Sequence, residues 1–271
     1  MAIGFDTDTD YAERTGIPDG GAGTLTLGGF ASFFVGVWNY RPSSGNSYAG
    51  TSEGYLIGML SGAREMKLGY NNNFGAGGAS DPLLQVIFNS GGGTLSAQTF
   101  AGANFLNEWV YYFLLADATN QTAGYIRLSD LATATTIVRA NDNAGSQYTN
   151  TLTLGSRAVH DATVFGHYAY GRARDSNTTV ANALTYAASN ASIGGDWGFW
   201  DFDNNADGAD TSGNGRTMTL AGTITTETSP TLSGGPPPSN VDRINGILRS
   251  ALSHRNGIPL TSISHVNGLT I

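Results

Sequence analysis

The sequence predicts an all-β protein built as a two-sheet antiparallel sandwich. Short runs of β-branched and aromatic residues, bounded by Gly, Asn, Asp and Ser, recur along the chain, as is typical of strands joined by turns. Turn signals come about every ten residues, which favours a sandwich over alternating strands and helices. Helical periodicity is weak almost everywhere.

The predicted strands share a β-branched or aromatic centre and a polar or glycine-containing boundary. They cover residues 24–27, 33–40, 54–60, 65–70, 83–88, 109–116, 122–128, 136–140, 152–155, 162–172, 197–202 and 217–225. One helix is predicted at residues 177–189, where Thr178 or Thr179 can cap a segment rich in Ala and Leu.

Composition excludes several classes of protein. The net charge is −8 and Lys67 is the single lysine, so no basic surface is available for nucleic acid. The chain has no cysteine, which excludes disulfides and thiolate metal sites. No segment approaches the roughly 18 apolar residues of a membrane helix. The first ten residues have neither the basic nor the apolar region of an export signal, so we expect synthesis and folding in the cytoplasm.

Three regions follow from the distribution of residues. Residues 1–225 are expected to form the sandwich, with an acidic arm at the N-terminal end of this range. Residues 226–240 contain Pro230 and a run of three prolines at 236–238, a composition that favours an extended linker. Residues 241–271 form a separate repeat element.

The repeat element has a period of eleven residues, with units that begin at residues 241, 252 and 263. Each unit contains Asn-Gly, the strongest short signal for a hairpin turn. Hairpins this small cannot bury an apolar face alone, so we expect attachment to another protein surface or oligomerisation. The equivalent positions are Asn245, Asn256 and Asn267 in the turns, and Ile247, Ile258 and Leu269 after them.

Four segments resemble concanavalin A-like and laminin G-like domains. They are FFVGVWNY from Phe33, NEWVYYFLLADATNQTAGYIRL from Asn107, LTLGSR with FGHYAYGRARDS from Leu152 and Phe165, and GDWGFWDFDNNADGADTSGNGRTMTL from Gly195. The resemblance covers roughly residues 25–225 and implies a jelly-roll sandwich. The order of the segments departs from the commonest one, which leaves the strand topology open.

The C-terminal repeats resemble the C-termini of structural proteins of tailed bacteriophages. This resemblance implies a virion protein, either a capsid decoration, a head fibre or a tail appendage, made in the host cytoplasm. Its partners would then be other capsid or tail proteins and copies of itself, with a trimer as one option. The alternative is a carbohydrate-binding module or an adhesin for a host surface glycan.

A calcium site is predicted in the segment DNNADG. Asp203, Asn205 and Asp207 stand at alternate positions ahead of Gly208, as oxygen ligands do in Ca²⁺ loops. An Asx-rich turn that needs no ion is the alternative. The three carboxylates of DTDTD at the N-terminus offer a weaker candidate, against a flexible acidic segment.

Glycan binding would need an exposed aromatic ring. The four tryptophans are Trp38, Trp109, Trp197 and Trp200, and most are expected in the core because tryptophan buries a large area. Trp197 and Trp200 lie three apart in a predicted strand, so they should face opposite sides. We therefore expect one of these two near the surface as a glycan-binding residue.

We expect no enzymatic activity. Glucanases of this fold require an E-x-D-x-x-E strand to place their acid and nucleophile about 5–5.5 Å apart, and the sequence has none. The five glutamates, at positions 13, 53, 65, 108 and 227, are isolated. A hydrolase with unrecognised catalytic residues is the remaining, weaker option.

Overall fold

The computed structural model describes residues 2–7, 9–15, 32–42, 53–61, 64–71, 83–89, 95–117, 119–140, 151–156, 163–175, 179–202 and 207–232, and six dipeptides between 243 and 270. The chain divides into two compact units, Met1–Thr231 and Leu232–Ile271.

The described part of the first unit is almost entirely β-structure. In chain order its elements are β1 (Ala2–Phe5), β2 (Tyr11–Thr15), β3 (Ser32–Tyr40), β4 (Glu53–Ser61), β5 (Arg64–Asn71), β6 (Leu83–Asn89), β7 (Leu95–Thr99), β8 (Trp109–Asp117), β9 (Asn120–Arg127), β10 (Asp130–Ala140), β11 (Thr151–Leu154), β12 (Gly166–Arg174), α1 (Val180–Ala187), β13 (Gly198–Trp200), β14 (Thr219–Ala221) and β15 (Thr225–Glu227).

These strands form two antiparallel sheets. The first sheet has the order β10-β9-β8-β3-β12-β1-β15, with β13 paired to β12. The second has the order β14-β2-β11-β4-β5-β6-β7. Strands distant in sequence are therefore neighbours in space, and the predicted two-sheet antiparallel jelly-roll sandwich is confirmed. This topology also settles the order of strands that the sequence left open.

The core lies between the two sheets and takes alternate residues from each strand, as the period of two requires. Phe33, Val35 and Val37 of β3 contribute to it, and Leu68 of β5 and Val86 of β6 are among their partners in the same buried cluster. The intervening residues of β3 are buried as well. The central strands of the first sheet are therefore covered on both faces, which explains their nearly continuous apolar sequence.

Helix α1 and the segment after it cover the outer face of the first sheet. Thr179 caps the helix, and its side chain and that of Asn182 form a reciprocal capping box, which confirms the predicted helix start. Tyr186 packs edge-on to Phe34 of β3, with their ring centroids 5.0 Å apart. Across the part of the chain that the structure covers, no helix is long and apolar enough to span a membrane.

A buried ion cluster holds this covering segment on the sheet. Both Arg172 and Arg174, on β12, approach Oδ1 of Asp196, at 3.4 and 2.7 Å. The guanidinium group of Arg172 also lies 4.8 Å from the ring centroid of Phe199. Removing one member of a buried ion pair leaves an unpaired buried charge and strongly destabilises the folded protein. The cluster therefore fixes the covering segment in place.

The N-terminus is a strand rather than the expected arm. β1 lies inside the first sheet, between β12 and β15, and Ile3 and Phe5 are fully buried. The three carboxylates of DTDTD do not lie in one strand, because β1 ends at Phe5 and β2 begins at Tyr11.

Asp10 is the polar centre of that turn. Its carboxylate is fully buried and accepts hydrogen bonds from the amides of Asp6, Thr7 and Thr223, each at 2.8 Å, and from the Thr7 hydroxyl at 2.7 Å. A Cβ on Gly222, which has φ +90°, would lie 1.9 Å from Oδ1 of Asp10. The carboxylate therefore joins the N-terminal turn to the loop before β15.

Most predicted strands are confirmed to within a few residues at each end. The strand predicted at 217–225 divides into β14 and β15, and the one predicted at 197–202 is only the three residues of β13. β1, β2 and β7 were not predicted. The strand predicted at 24–27 lies outside the described residues.

The second unit contains three antiparallel hairpins. They pair β16 (Arg243–Ile244) with β17 (Ile247–Leu248), β18 (His254–Arg255) with β19 (Ile258–Pro259), and β20 (His265–Val266) with β21 (Leu269–Thr270). In the sequence one Asn-Gly dipeptide separates the two strands of each pair, and the predicted pairing of two short strands in every repeat is confirmed.

The residues expected to mediate attachment occupy equivalent places in these hairpins. Ile247, Ile258 and Leu269 each open the second strand of a hairpin. Asn245, Asn256 and Asn267 lie outside the described residues. Their role in attachment stays a prediction.

Replacing Asp10 by Ala should lower the free energy of unfolding by about 2–4 kcal/mol, because three amide groups and one hydroxyl lose a buried acceptor. Urea denaturation at neutral pH measures this. Asp130→Ala is the control, since its carboxylate is exposed and accepts one hydrogen bond, from Ala132. An equal loss in both variants contradicts the role assigned to Asp10.

Candidate functional site

A half-buried aromatic cluster lies on the outer face of the first sheet. It consists of Tyr40, Trp109 and His167, one each from β3, β8 and β12. Tyr40 is the registered partner of both Trp109 and His167, so the antiparallel pairing places the three side chains side by side. The ring centroids lie 5.6 Å apart for Tyr40 and Trp109, 5.3 Å for Tyr40 and His167, and 6.4 Å for Trp109 and His167.

The cluster begins where the covering segment ends. Trp38 and Tyr111 lie two residues away on the same strands and the same face, and they are 0% and 1% exposed. The Trp38 indole donates a hydrogen bond of 3.1 Å to the carbonyl of Ala187, the last residue of α1. Tyr40 and Trp109 fall in the intermediate class of exposure instead, so part of each ring faces solvent.

Polar groups adjoin the cluster on its β1 and β15 side. His167 pairs with Gly4 of β1, and its Nε2 lies 3.5 Å from Oε2 of Glu227. The Thr225 hydroxyl lies 3.1 Å from Oε1 of Glu227 and 3.4 Å from Oδ2 of Asp6. A hydroxyl carries one proton, so it can donate to only one of these two carboxylates at a time.

Glycine is required at position 4 for this arrangement. A Cβ there would lie 2.2 Å from Oγ1 of Thr225 and 3.1 Å from Cγ of Glu227. Both side chains would have to move to make room for it. An open depression of about 360 Å³ lies at the β15 edge. Its lining includes Thr226, Glu227, Thr228 and Ser229.

Arg41 fixes the end of the sheet from which two of the rings project. It follows Tyr40 directly, is 1% exposed, and its guanidinium lies 3.8 Å from the ring centroid of Tyr70. It donates to Oδ1 of Asn104 at 3.2 Å, and its carbonyl accepts from the amide of Asn107 at 2.7 Å. The end of β3 and the loop that leads into Trp109 are thereby joined.

Partly exposed aromatic faces next to carboxylates suit a sugar ring. The apolar face of a pyranose packs on an aromatic ring, while its hydroxyl groups need acceptors at the edge of that contact. Glu227, Asp6 and Thr225 supply acceptors there. This arrangement can bind a small polar ring with an apolar face.

The expectation for Trp197 and Trp200 was wrong. They are 2% and 0% exposed, and neither can stack on a sugar. The Trp200 indole donates to the carbonyl of Arg216 at 2.8 Å, and the guanidinium of Arg216 lies 4.4 Å from a Trp197 ring centroid. The alternation argument failed because β13 begins at Gly198, so Trp197 is not in the strand.

Trp109 is the one tryptophan of the four that is not fully buried. It was among the sequence candidates. Tyr40, His167 and Glu227 were missed, because their proximity depends on pairing between strands far apart in sequence. The only local signal was that Tyr40 ends a strand whose alternate residues are aromatic.

The calcium prediction is not tested. Asp203 and Asn205 lie outside the described residues. The Asp207 carboxylate accepts from the amide of Ala209 at 3.1 Å, as in an Asx turn. Burial, with a further contribution from Asp207, raises the pKa of Asp201. Within the described ranges no group of three or more His, Cys, Asp or Glu residues could hold a metal ion.

Asp210 organises the turn that follows. Burial raises its pKa, but hydrogen bonds from the Ser212 side chain and from the amides of Arg216, Phe199 and Ser212 outweigh burial and lower the pKa overall. The two amides of Phe199 and Arg216 lie 3.1 and 2.8 Å from its oxygens. This ionised carboxylate holds the turn against β13.

Solved structures share the fold. A Bacteroides ovatus protein with a proposed carbohydrate-binding role superposes with a TM-score of 0.52 at 15% identity, over 85% of this chain and 61% of that one. Domains LG4-5 of the mouse laminin alpha1 chain give 0.41 at 10% identity, over 64% and 40%. The enzymatically active domain of tailspike protein 2 of bacteriophage CBA120 gives 0.42 at 9% identity, over 61% and 23%.

The chain thus spans less than two thirds of each of these proteins. No protein-family model matches the sequence, and no curated protein sequence does either. The likeness to the Bacteroides protein supports the expected lectin-like jelly roll at the level of the fold.

Replacing Asp210 by Asn should lower the free energy of unfolding by about 1–2 kcal/mol at pH 7, because charged acceptors form stronger hydrogen bonds than neutral ones. The folded-state pKa lies below its unfolded value, so this stabilisation is present above the unfolded pKa and is lost as the pH falls through the folded one. Urea denaturation of both proteins between pH 7 and pH 3 measures the difference. A difference that does not shrink in acid contradicts the assignment.

Proposed function

We propose that the sandwich binds a glycan through Tyr40, Trp109 and His167. The observation that carries this proposal is that these three rings stay half-buried at the end of β3, β8 and β12, while Trp38 and Tyr111, their neighbours on the same face, are buried. A contiguous patch of partly exposed aromatic side chains marks a binding surface more often than a single exposed apolar residue does. The Bacteroides ovatus protein that shares the fold has the same proposed role.

We propose further that the C-terminal repeats attach this domain to a larger assembly, the virion of a tailed bacteriophage. The three hairpins support attachment, because each consists of two strands of two residues, too little to be stable alone. The resemblance of the repeats to phage structural proteins supports the virion. Other virion proteins and copies of the same chain are the expected partners.

The proposed role is structural and adhesive rather than enzymatic. The clustered carboxylates of Asp6 and Glu227 share the Thr225 hydroxyl, which suits an acceptor site for sugar hydroxyl groups. No glutamate of the sequence lies in an E-x-D-x-x-E strand of the kind that retaining glucanases need.

Trp109→Ala should weaken glycan binding at least about tenfold, because it removes the largest ring of the contact. Binding is measured by calorimetry with saccharides selected on a glycan array. Tyr11→Ala is the matched control, since Tyr11 is a partly exposed ring on β2 of the second sheet. A folded wild-type protein that binds no saccharide on the array contradicts the glycan proposal.

Deleting residues 241–271 should abolish incorporation into phage particles and reduce the oligomer to a monomer, while the sandwich keeps its melting temperature. Light scattering gives the oligomeric state, and immunoblots of purified particles give incorporation. Unchanged incorporation rejects attachment through the repeats. It leaves the glycan proposal standing.

A further inference from the structure

We infer that the site selects a sugar that carries a free ammonium group, such as glucosamine, over its neutral and acidic counterparts. This inference rests on the proposed glycan-binding function and adds the class of sugar. It follows from the combination of a carboxylate rim with exposed aromatic rings.

The rim beside the rings is acidic. Asp6 and Glu227 both approach the single hydroxyl of Thr225, at 3.4 and 3.1 Å. Because that hydroxyl can satisfy only one carboxylate at a time, the pair retains capacity to accept hydrogen bonds. An ammonium group offers three donors and a positive charge, which matches this surplus of acceptors.

The rings favour the same kind of ligand. The face of a Trp or Tyr ring attracts a cation within about 6 Å of its centroid. Tyr40 and Trp109 have centroids 5.6 Å apart, so a sugar stacked on one ring keeps its substituents within reach of the other. A cationic substituent is therefore stabilised both by the aromatic rings and by the carboxylates of the rim.

The arginines of the flanking strands do not oppose this selection. Arg41 lies over Tyr70, on the core side of the sheet. Arg127 pairs with Glu108, with Nη2 and Oε2 2.9 Å apart, and its registered partner on β8 is Val110, a core position. The net charge of −8 also attracts cations and repels acidic sugars over longer distances.

His167 lies between the aromatic rings and Glu227. Its Nε2 lies 3.5 Å from Oε2 of that residue. Glu227 still has Oε1, which faces Thr225. A ligand ammonium group can therefore approach the rim without displacing the imidazole.

Calorimetry with three short oligosaccharides tests the inference. They are a glucosamine tetramer, its N-acetylated counterpart and a uronic acid tetramer, each at a pH where the amine is protonated. The wild-type protein should bind the amine form about tenfold more tightly than the N-acetylated form, as expected for one charge-assisted contact. The uronic acid should bind most weakly.

Two variants separate selection at the site from general attraction to an acidic protein. Glu227→Gln should reduce the preference for the amine to about twofold or less, because it weakens binding of the amine form more than binding of the N-acetylated form. Glu13→Gln makes the same change in charge on β2 of the second sheet and should leave the preference intact. Trp109→Ala, which alters no charge, should remove binding of both forms.

Three other results would contradict the inference or both proposals. Equal affinity for the amine and N-acetylated forms, with both lost in Trp109→Ala, overturns the inference and leaves the glycan-binding function intact. Amine binding that survives Trp109→Ala also overturns it, because the attraction is then nonspecific. A folded protein that binds none of the three and no saccharide on the array overturns both proposals.

Discussion

Burial of both faces of the central strands of the first sheet is the constraint on which the rest of the structure depends. One face packs on the second sheet, and the other would expose Phe34, Trp38 and Tyr111 to water without a cover. A patch of that kind is avoided on a free protein surface. Helix α1 and the segment after it supply the cover, and the buried carboxylate of Asp196 holds them to Arg174. Because the covering segment is held in place, the point at which it ends is fixed as well. The aromatic cluster lies at that point.

The site itself requires the N-terminus in its sheet position. β1 carries Gly4, whose missing side chain leaves room for Thr225 and lets Glu227 approach His167. β1 in turn leads into the turn that the Asp10 carboxylate ties to the loop before β15. A buried carboxylate that accepts four hydrogen bonds fixes the local geometry more strictly than an apolar contact does. Any of the four donor groups left without an acceptor would add a desolvation cost to the folded state. Asp10 therefore positions the polar rim through the backbone amide of Asp6 and through the loop before β15.

Much of the fold could be predicted from the sequence because strand composition and turn signals are local. The helix start at Thr179 and the Asn-Gly hairpins are local in the same sense. β1 escaped prediction because acidic residues follow it and its stability comes from pairing with β12 and β15, which composition cannot show. The site escaped for a similar reason. The exposure of Trp109 depends on where α1 ends over a different strand.

The positions of Trp38 and Tyr40 show why the site cannot be read from residue type. The two rings lie two residues apart on one strand and one face. Trp38 is buried and donates a hydrogen bond to the carbonyl of Ala187, whereas Tyr40 is partly exposed. Aromatic alternation alone gives both the same prediction. What separates them is the length of a covering segment set by its own cap and by its buried ion cluster. The position of a ligand surface on this sandwich therefore depends on which residues of the first sheet the covering segment leaves exposed. The chemistry of that surface depends on the polar residues near β1 and β15, the strands that pair beside the exposed rings.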